Sequence, residues 1–84
     1  MQGNHTVCIS NRERVEIDSV TCVRSFDDDG VLLESSMGLI SVDGRELRIE
    51  NFEKATSKIL IVGQIFGVYY LEKRHKKKGR VNTL

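Results

Sequence analysis

Apolar and polar residues alternate with a period of two through most of this 84-residue chain. The alternation is clear in Thr6 to Ser10, in Val15 to Ile17 and in Val20 to Phe26, where β-branched residues are frequent. Successive side chains of a β-strand point to opposite faces of a sheet, so this period is typical of half-buried strands. The chain has no proline and no long segment with a helical period, and it therefore predicts a protein built from strands.

The alternation also predicts which side chains share a face. Val7 and Ile9 lie on one face of the first run, and Leu47 and Ile49 point inward where their charged neighbours point to water. Ile59-Leu60-Ile61-Val62 is apolar on both faces, which indicates a strand covered from both sides. In the third run, one face is expected to carry Val20, Cys22, Arg24 and Phe26.

Glycines separate the later runs and predict tight turns. Asp43-Gly44 is expected to form a type I′ hairpin turn, and Gly63-Gln64 has the glycine-first pattern of a type II′ turn. Ser36-Met37-Gly38 is either a tight turn or a bulge inside one bent strand. The residues expected to form turns are Gly30, Gly38, Asp43, Gly44 and Gly63.

Seven or eight short strands joined by such turns predict an all-β fold, either a small antiparallel sandwich or a partly open barrel. Only Asn51 to Lys58 has helical character, with Asn51 expected to cap a short turn. Residues 1–72 are expected to form one domain and residues 73–84 a disordered basic tail. Because so short a chain has a thin core, we expect apolar surface to be covered in a homodimer or by a partner protein.

The charge of the chain is divided unevenly. Residues 1–72 carry all twelve acidic residues and seven basic ones, whereas the tail carries six basic residues and no acid. A solvated tail is the leading interpretation, followed by contact with a membrane surface or membrane protein, and then by nucleic acid, which the acidic body disfavours. The candidate residues for contact with an anionic surface are Lys73, Arg74, Lys76, Lys77, Lys78 and Arg80.

Two features resemble metal or redox sites. Asp27-Asp28-Asp29 lacks the alternating ligands of a calcium loop, and we expect a solvated hairpin loop there instead. Cys8 and Cys22 are expected to be reduced, buried side chains. A zinc site is disfavoured because His5 and His75 lie at opposite ends of the chain.

The chain shows no pattern of catalytic residues. It has no Ser-His-acid set in a plausible order, and its glycine-rich segment is not followed by the helix that a phosphate loop needs. We therefore expect no enzymatic activity, no catalytic or metal-binding residues and no cofactor. Its first residues lack the basic and apolar regions of a signal peptide, so we expect the protein in the cytoplasm.

Five segments follow one another in a characteristic order and spacing. They are Val15-Glu16-Ile17, Val20-Thr21-Cys22-Val23-Arg24-Ser25-Phe26, the stretch from Val31 to Leu47, Ile59-Leu60-Ile61-Val62-Gly63-Gln64-Ile65, and Tyr69-Tyr70-Leu71-Glu72. Together they resemble the YabP/YqfC family of sporulation proteins. The resemblance covers residues 14–72, which would form the family core, and Ser57 stands where a turn glycine is expected.

The resemblance implies a role in building the spore cortex or envelope, in the mother cell of a sporulating member of the Firmicutes. It also implies a sporulation membrane protein as a partner, and it supplies no catalytic residues. The leading hypothesis is a non-enzymatic assembly protein that binds its partner through an exposed sheet face or edge. The alternative is a small β-barrel that binds nucleic acid through its basic tail.

Overall fold

The computed structural model describes residues 4–71, which form strands joined by turns and short connecting segments. No helix able to cross a membrane occurs in this part of the chain. The six strands are β1 (Val7–Ser10), β2 (Arg14–Ile17), β3 (Val20–Asp27), β4 (Gly30–Ser35), β5 (Gly38–Glu53) and β6 (Lys58–Leu71).

All six strands belong to one antiparallel sheet with the order β1-β2-β6-β5-β4-β3. The long strands β5 and β6 form a central hairpin, and each pairs with a shorter hairpin along part of its length. The β1–β2 half of the sheet contains β1, β2 and the hairpin end nearest the β5–β6 turn. The β3–β4 half contains β3, β4 and the opposite end of that hairpin. The expected all-β antiparallel fold is confirmed.

The sheet is folded over on itself, so that its two halves cover one another. The Ser36 N–H donates to the Ser19 carbonyl at 3.0 Å, and the Val20 N–H donates to the Ser57 carbonyl at 2.9 Å. Ser36 and Ser57 flank the two ends of β5, and sixteen extended residues would span about 50 Å. Because the adjacent residues Ser19 and Val20 contact both ends, β5 must bend sharply between them.

This folding encloses one hydrophobic core. Eleven apolar side chains from both halves are at most 2% exposed and form a single cluster, and no polar or charged residue of the described chain is buried with them. The cluster consists of Val15, Ile17, Val20, Val31, Leu33, Ile40, Val42, Leu47, Ile59, Ile61 and Ile65.

The prediction of hairpin turns at Asp43-Gly44 and Gly63-Gln64 is wrong. β5 and β6 run through both positions, and their pairing shifts register between Asp43 and Gly44 and between Arg45 and Arg48. These shifts are β-bulges, which bend a strand without reversing it. Asp43, Gly44 and Gly63 therefore lie at the bend of the sheet, and residues 4–71 contain six strands where seven or eight were expected.

The two glycines permit a close approach of the backbones at this bend. A Cβ added at Gly44 would lie 2.7 Å from Cδ2 of Leu47 and against the carbonyl oxygen of Gln64. Gly63 has a φ of +138°, and a Cβ there would lie 2.5 Å from the carbonyl oxygen of Glu46. A glycine that allows close backbone approach has the same sequence signature as one that forms a turn.

The turns before β4 and β5 lie at the other two glycine-marked positions where turns were expected. The chain reverses at Asp28-Asp29 before Gly30 and at Ser36-Met37 before Gly38. The segment expected to have helical character belongs to β5 as far as Glu53, and the chain then turns at residues 54–57. Ser57 has a φ of 58°, so it takes the left-handed conformation for which a glycine was expected.

The predicted assignment of the β3 side chains to the two faces of the sheet is also wrong. The pairing of β3 with β4 shifts register between Val20 and Cys22 and between Val23 and Ser25. Each bulge inserts a residue and interrupts the alternation. Val20 is consequently buried, Val23 packs against the core, and Cys22 is not on the same face as Val20.

Candidate functional site: an exposed apolar face

The tips of the two short hairpins hold the bend in place. From the β3–β4 turn, the carbonyls of Asp28 and Asp29 accept hydrogen bonds from Leu47 N–H at 2.9 Å and Gly44 N–H at 3.1 Å. These bonds satisfy main-chain donors that the bulges in β5 remove from the regular ladder. The triple-aspartate loop therefore stabilises the fold through its main chain.

The β1–β2 turn has the same role on β6. The carbonyls of Arg12 and Glu13 accept hydrogen bonds from Ile65 N–H at 2.8 Å and Gly63 N–H at 3.0 Å. Asn11 and Arg12 both have positive φ, and Glu13 N–H donates to Ser10 O at 2.9 Å. This is the geometry of a type I′ turn, which the sequence did not reveal because neither central residue is glycine.

The carboxylates of Asp27, Asp28 and Asp29 are exposed and can approach within 4.8 Å of one another. The hydrogen bonds to the main-chain carbonyls of Asp28 and Asp29 account for the conformation of the loop, and exposed carboxylates are readily solvated. The loop borders a depression of about 360 Å³. That depression is lined by Ser25, Asp27, Asp29, Gly30, Val31, Leu32 and Ser41.

Apolar side chains form a patch beside this depression, on the face of the β3–β4 half that points away from the core. Leu71 pairs with Leu39, Tyr69 with Ser41, and Leu32 with Ser41 on the other side. Tyr69 is 50% exposed and Leu71 42% exposed. We call Leu32, Leu39, Tyr69 and Leu71 the outer patch. Rows of paired residues on one face of a sheet place these side chains next to each other.

Gly67 positions the tyrosine of the outer patch. A Cβ at Gly67 would lie 2.6 Å from the hydroxyl oxygen of Tyr69, so the tyrosine ring lies across the glycine. Gly67 and Tyr69 are two residues apart on one strand and therefore share a face. The glycine leaves space in which the large ring packs along its own strand while one side stays open to solvent.

A polar cluster flanks the outer patch. Arg24 donates from Nη1 to Oε2 of Glu34 at 2.8 Å, and the Cys22 thiol donates to Oε1 of the same carboxylate at 3.4 Å. The hydrogen bond to Glu34 raises the pKa of the Cys22 thiol, because it stabilises the protonated sulfur. Both cysteines are free thiols, as expected, but Cys22 is only half-buried and Cys8 is exposed, whereas both were expected to be buried.

A second polar cluster ties the N-terminal residues to the end of β6. Nδ1 of His5 lies 3.1 Å from the Asp18 carbonyl oxygen, and Nε2 lies 2.7 Å from the Tyr70 hydroxyl. The N–H and hydroxyl groups of Thr6 both donate to the Asp18 carboxylate at 2.8 Å. The bond from the Thr6 backbone is the main reason why the pKa of Asp18 is lowered.

Neither tyrosine lies in the core. Tyr69 contributes to the outer patch, whereas Tyr70 contacts His5 edge-on with ring centroids 5.7 Å apart. Both are about half-exposed. The six basic residues expected to contact an anionic surface, Lys73, Arg74, Lys76, Lys77, Lys78 and Arg80, lie outside the described residues.

The fold and its outer patch define a small all-β protein, built from one folded-over antiparallel sheet, that exposes apolar side chains on one face. Residues 1–77 match the model of the YabP family, and the chain belongs to that family. It is 33% identical over 76 residues to Spore protein YabP of Bacillus subtilis (strain 168). The aligned residues make up 90% of this chain and 76% of that relative. The family match takes in β1, which precedes the resemblance seen in the sequence.

Proposed function

We propose that this chain is a non-enzymatic protein of endospore formation that acts by binding another protein. Its membership of the YabP family and its relative named as a spore protein support the link to sporulation. A binding role is supported by the contrast between the outer patch and its surroundings. Tyr69 and Leu71 of the patch stay exposed, whereas side chains around them are engaged in packing or in ion pairs such as Arg24 with Glu34.

The outer patch is the surface that supports binding best. Its two most exposed members, Tyr69 and Leu71, lie on a regular strand and not on a loop, so their positions are fixed before a partner arrives. Rigid aromatic and aliphatic side chains lose little conformational entropy on binding and are frequent in interface centres. The Arg24–Glu34 pair and the aspartates beside the patch would form a polar rim.

Capture of the partner from sporulating cells tests this proposal. The tagged full chain is expressed from its own gene, and Tyr69→Asp is compared with Phe66→Asp, since Phe66 lies on the same strand with 54% exposure but outside the outer patch. We expect Tyr69→Asp to lose the partner and to reduce the number of heat-resistant spores, while Phe66→Asp retains both. Normal numbers of heat-resistant spores after deletion of the gene would contradict the proposal.

We place this activity in the mother cell, in formation of the spore cortex or envelope, with a sporulation membrane protein as the partner. A fluorescent fusion should therefore appear on the mother-cell side of the developing spore. Electron microscopy of the deletion strain should show a thinner or missing cortex. Fluorescence confined to the forespore would contradict this location.

Binding of nucleic acid by the basic tail is the competing function. It predicts that log affinity for DNA or RNA falls linearly with log salt concentration, with a slope of several units. A filter-binding titration of the full chain, with Lys76, Lys77 and Lys78 replaced by glutamate as a control, measures this slope. Retention of nucleic acid at moderate salt that depends on these lysines would favour the competing function.

A further inference from the structure

The two edges of the sheet are protected to different degrees. An exposed edge strand offers unpaired N–H and C=O groups to any other strand, and proteins block such edges with charges, bulges or covering segments. Edge strand β3 has all three: the charged residues Arg24 and Asp27, two register shifts, and the hydrogen bond from Val20 N–H to Ser57.

Within residues 4–71, edge strand β1 lacks these protections apart from its short length. Its sequence is Val-Cys-Ile-Ser, and of the six strands described it is the one without a charged residue. Val7 packs against the core, and Ile9 pairs with the buried Val15 yet is itself 47% exposed. The apolar face of the β1–β2 half thus continues to the edge of the sheet and ends there uncovered.

The hydrogen-bonding phase of β1 shows which main-chain groups are available. Asp18 N–H donates to Thr6 O at 3.2 Å, and the register of β1 with β2 extends to this pair. Hydrogen-bonded and non-hydrogen-bonded pairs alternate in an antiparallel ladder. Cys8 and Ser10 therefore bond to β2, while the N–H and C=O groups of Val7 and Ile9 point away from the sheet.

We propose that β1 pairs with β1 of a second copy of this chain, antiparallel and about a two-fold axis at Cys8. Val7 of each copy then lies opposite Ile9 of the other, and these two pairs exchange four hydrogen bonds. The same pairs join the apolar faces of the two sheets into one continuous face. The two copies of Cys8 lie opposite each other as a non-hydrogen-bonded pair, for which Cα atoms are about 4.5 Å apart.

The chemistry of the strand selects this register and a second copy as the occupant. Partners across a ladder share a face, so an antiparallel self-pair can centre only on Val7, Cys8 or Ile9. A two-fold axis at Val7 or at Ile9 would form only two hydrogen bonds between the two copies of β1. The first would set Ile9 opposite His5 and the second would set Val7 opposite Asn11, and both His5 and Asn11 lie outside the strand. Centring on Cys8 uses all the free groups, and no like charges face each other.

Substitutions at the two edges test the proposal. Ile9→Lys places a charge in the proposed seam, and Phe26→Lys makes the same change on β3, where Phe26 is similarly exposed at 49%. We expect sedimentation velocity at about 100 μM to show a dimer for the native chain and for Phe26→Lys, and at least about tenfold weaker association for Ile9→Lys. Far-UV circular dichroism checks that each variant is folded. A monomeric native chain, or equal loss of the dimer in both variants, would overturn the proposal.

Crosslinking tests the register. In the full chain with Cys22→Ser, copper-phenanthroline should oxidise two Cys8 thiols to a disulfide between copies, with the metal complex accepting the electrons. A variant with Cys8→Ser, Cys22→Ser and Ser10→Cys should crosslink much more slowly, because its thiols lie four residues apart across the axis. Faster crosslinking between a chain bearing Cys8 and one bearing Ser10→Cys would overturn the register. The proposed β1–β1 interface does not include the outer patch. The dimer and the binding of a partner by the outer patch can therefore fail independently of each other.

Discussion

At the scale of single residues, polar side chains act at the margins of the sheet. No polar or charged residue in the described part of the chain is buried, and the carboxylates of Asp18 and Glu34 each accept hydrogen bonds outside the core. Their environments differ: Asp18 accepts bonds from a backbone N–H and a hydroxyl, whereas Glu34 accepts from a guanidinium and a thiol. Each arrangement changes the pKa of one group in a direction that can be measured.

The two cysteines should differ in reactivity. Cys8 is exposed, whereas Cys22 is half-buried and its pKa is raised by the hydrogen bond to Glu34. Because the thiolate is the reacting species, we expect iodoacetamide at pH 7.5 to alkylate Cys8 several-fold faster than Cys22. Single-cysteine variants Cys22→Ser and Cys8→Ser isolate each rate, measured at low micromolar protein so that Cys8 stays accessible. Replacing Glu34 with glutamine should accelerate the reaction of Cys22, and equal rates with or without this change would contradict the role of Glu34.

The lowered pKa of Asp18 should make part of the stability dependent on pH. Its pKa in the folded state lies below the ordinary value of 3.8, so its contribution to stability is fully present above that value and is lost as the pH falls through the folded pKa. Asp18→Ala should therefore be destabilised relative to the native chain at pH 6, and this difference should shrink as the pH falls below about 4. Urea unfolding at a series of pH values measures it, with Glu50→Ala as an exposed control on β5. A difference that stays constant down to acid pH would exclude the linkage.

At the scale of the elements, the folded-over sheet depends on a bend in its two longest strands. The bend combines bulges, the left-handed residues Glu46 and Gly63, and the missing side chain of Gly44. Both short hairpins contribute main-chain carbonyls to the same region. Because the bend brings the two halves together, the core forms only if the glycines allow the backbones to approach.

Alanine at the bend should be costly. Gly44→Ala forces a Cβ against the Gln64 carbonyl, and Gly63→Ala adds positive-φ strain to a clash with Glu46. We expect each to lower the free energy of unfolding by about 2–4 kcal/mol. Gly30→Ala is the matched control, since its Cβ would have ordinary contacts of 3.7 Å or more. Chemical denaturation measures all three, and a loss at Gly30 equal to that at Gly44 would contradict the role of close approach.

At the scale of the whole molecule, the core belongs to neither half alone. Ile61 and Val15 come from the β1–β2 half and Leu33 and Ile40 from the β3–β4 half, and all four are fully buried in one cluster. Neither half retains a covered apolar face without the other. We therefore expect the sheet to unfold as a single cooperative unit.

A substitution in one half should be detected in the other. Ile61→Val lies in the β1–β2 half, and both tyrosines of the chain lie in the β3–β4 half. We expect a loss of about 0.5–1.5 kcal/mol, with the same shift in denaturation midpoint by tyrosine fluorescence and by circular dichroism. Leu39→Val, at a half-buried position of the outer patch, should cost less. Fluorescence that is unaffected by Ile61→Val would indicate that the halves unfold separately.

Local sequence was a good guide to burial where strands are regular. Leu47 and Ile49 were expected to point inward; Leu47 is buried and Ile49 packs against the core while partly buried. Ile59 and Ile61 are buried in the strand expected to be covered on both faces, but Leu60 and Val62 are only half-buried. Local sequence failed on β3, because a bulge is selected by pairing with a neighbouring strand and leaves no mark in the strand's own alternation. The outer patch was missed because Leu39 and Leu71 become neighbours only through pairing between β5 and β6.

The sequence alone determined the all-β class, the inward-facing residues of the regular strands, the division of charge between body and tail, and the family. Local periodicity and composition are sufficient for these properties. Only the tertiary structure decided that Asp43-Gly44 and Gly63 lie at a bend inside long strands and not at hairpins. Glycine permits both a turn and a close approach of two backbones, and the choice depends on ladder hydrogen bonds and core burial between residues far apart in the chain.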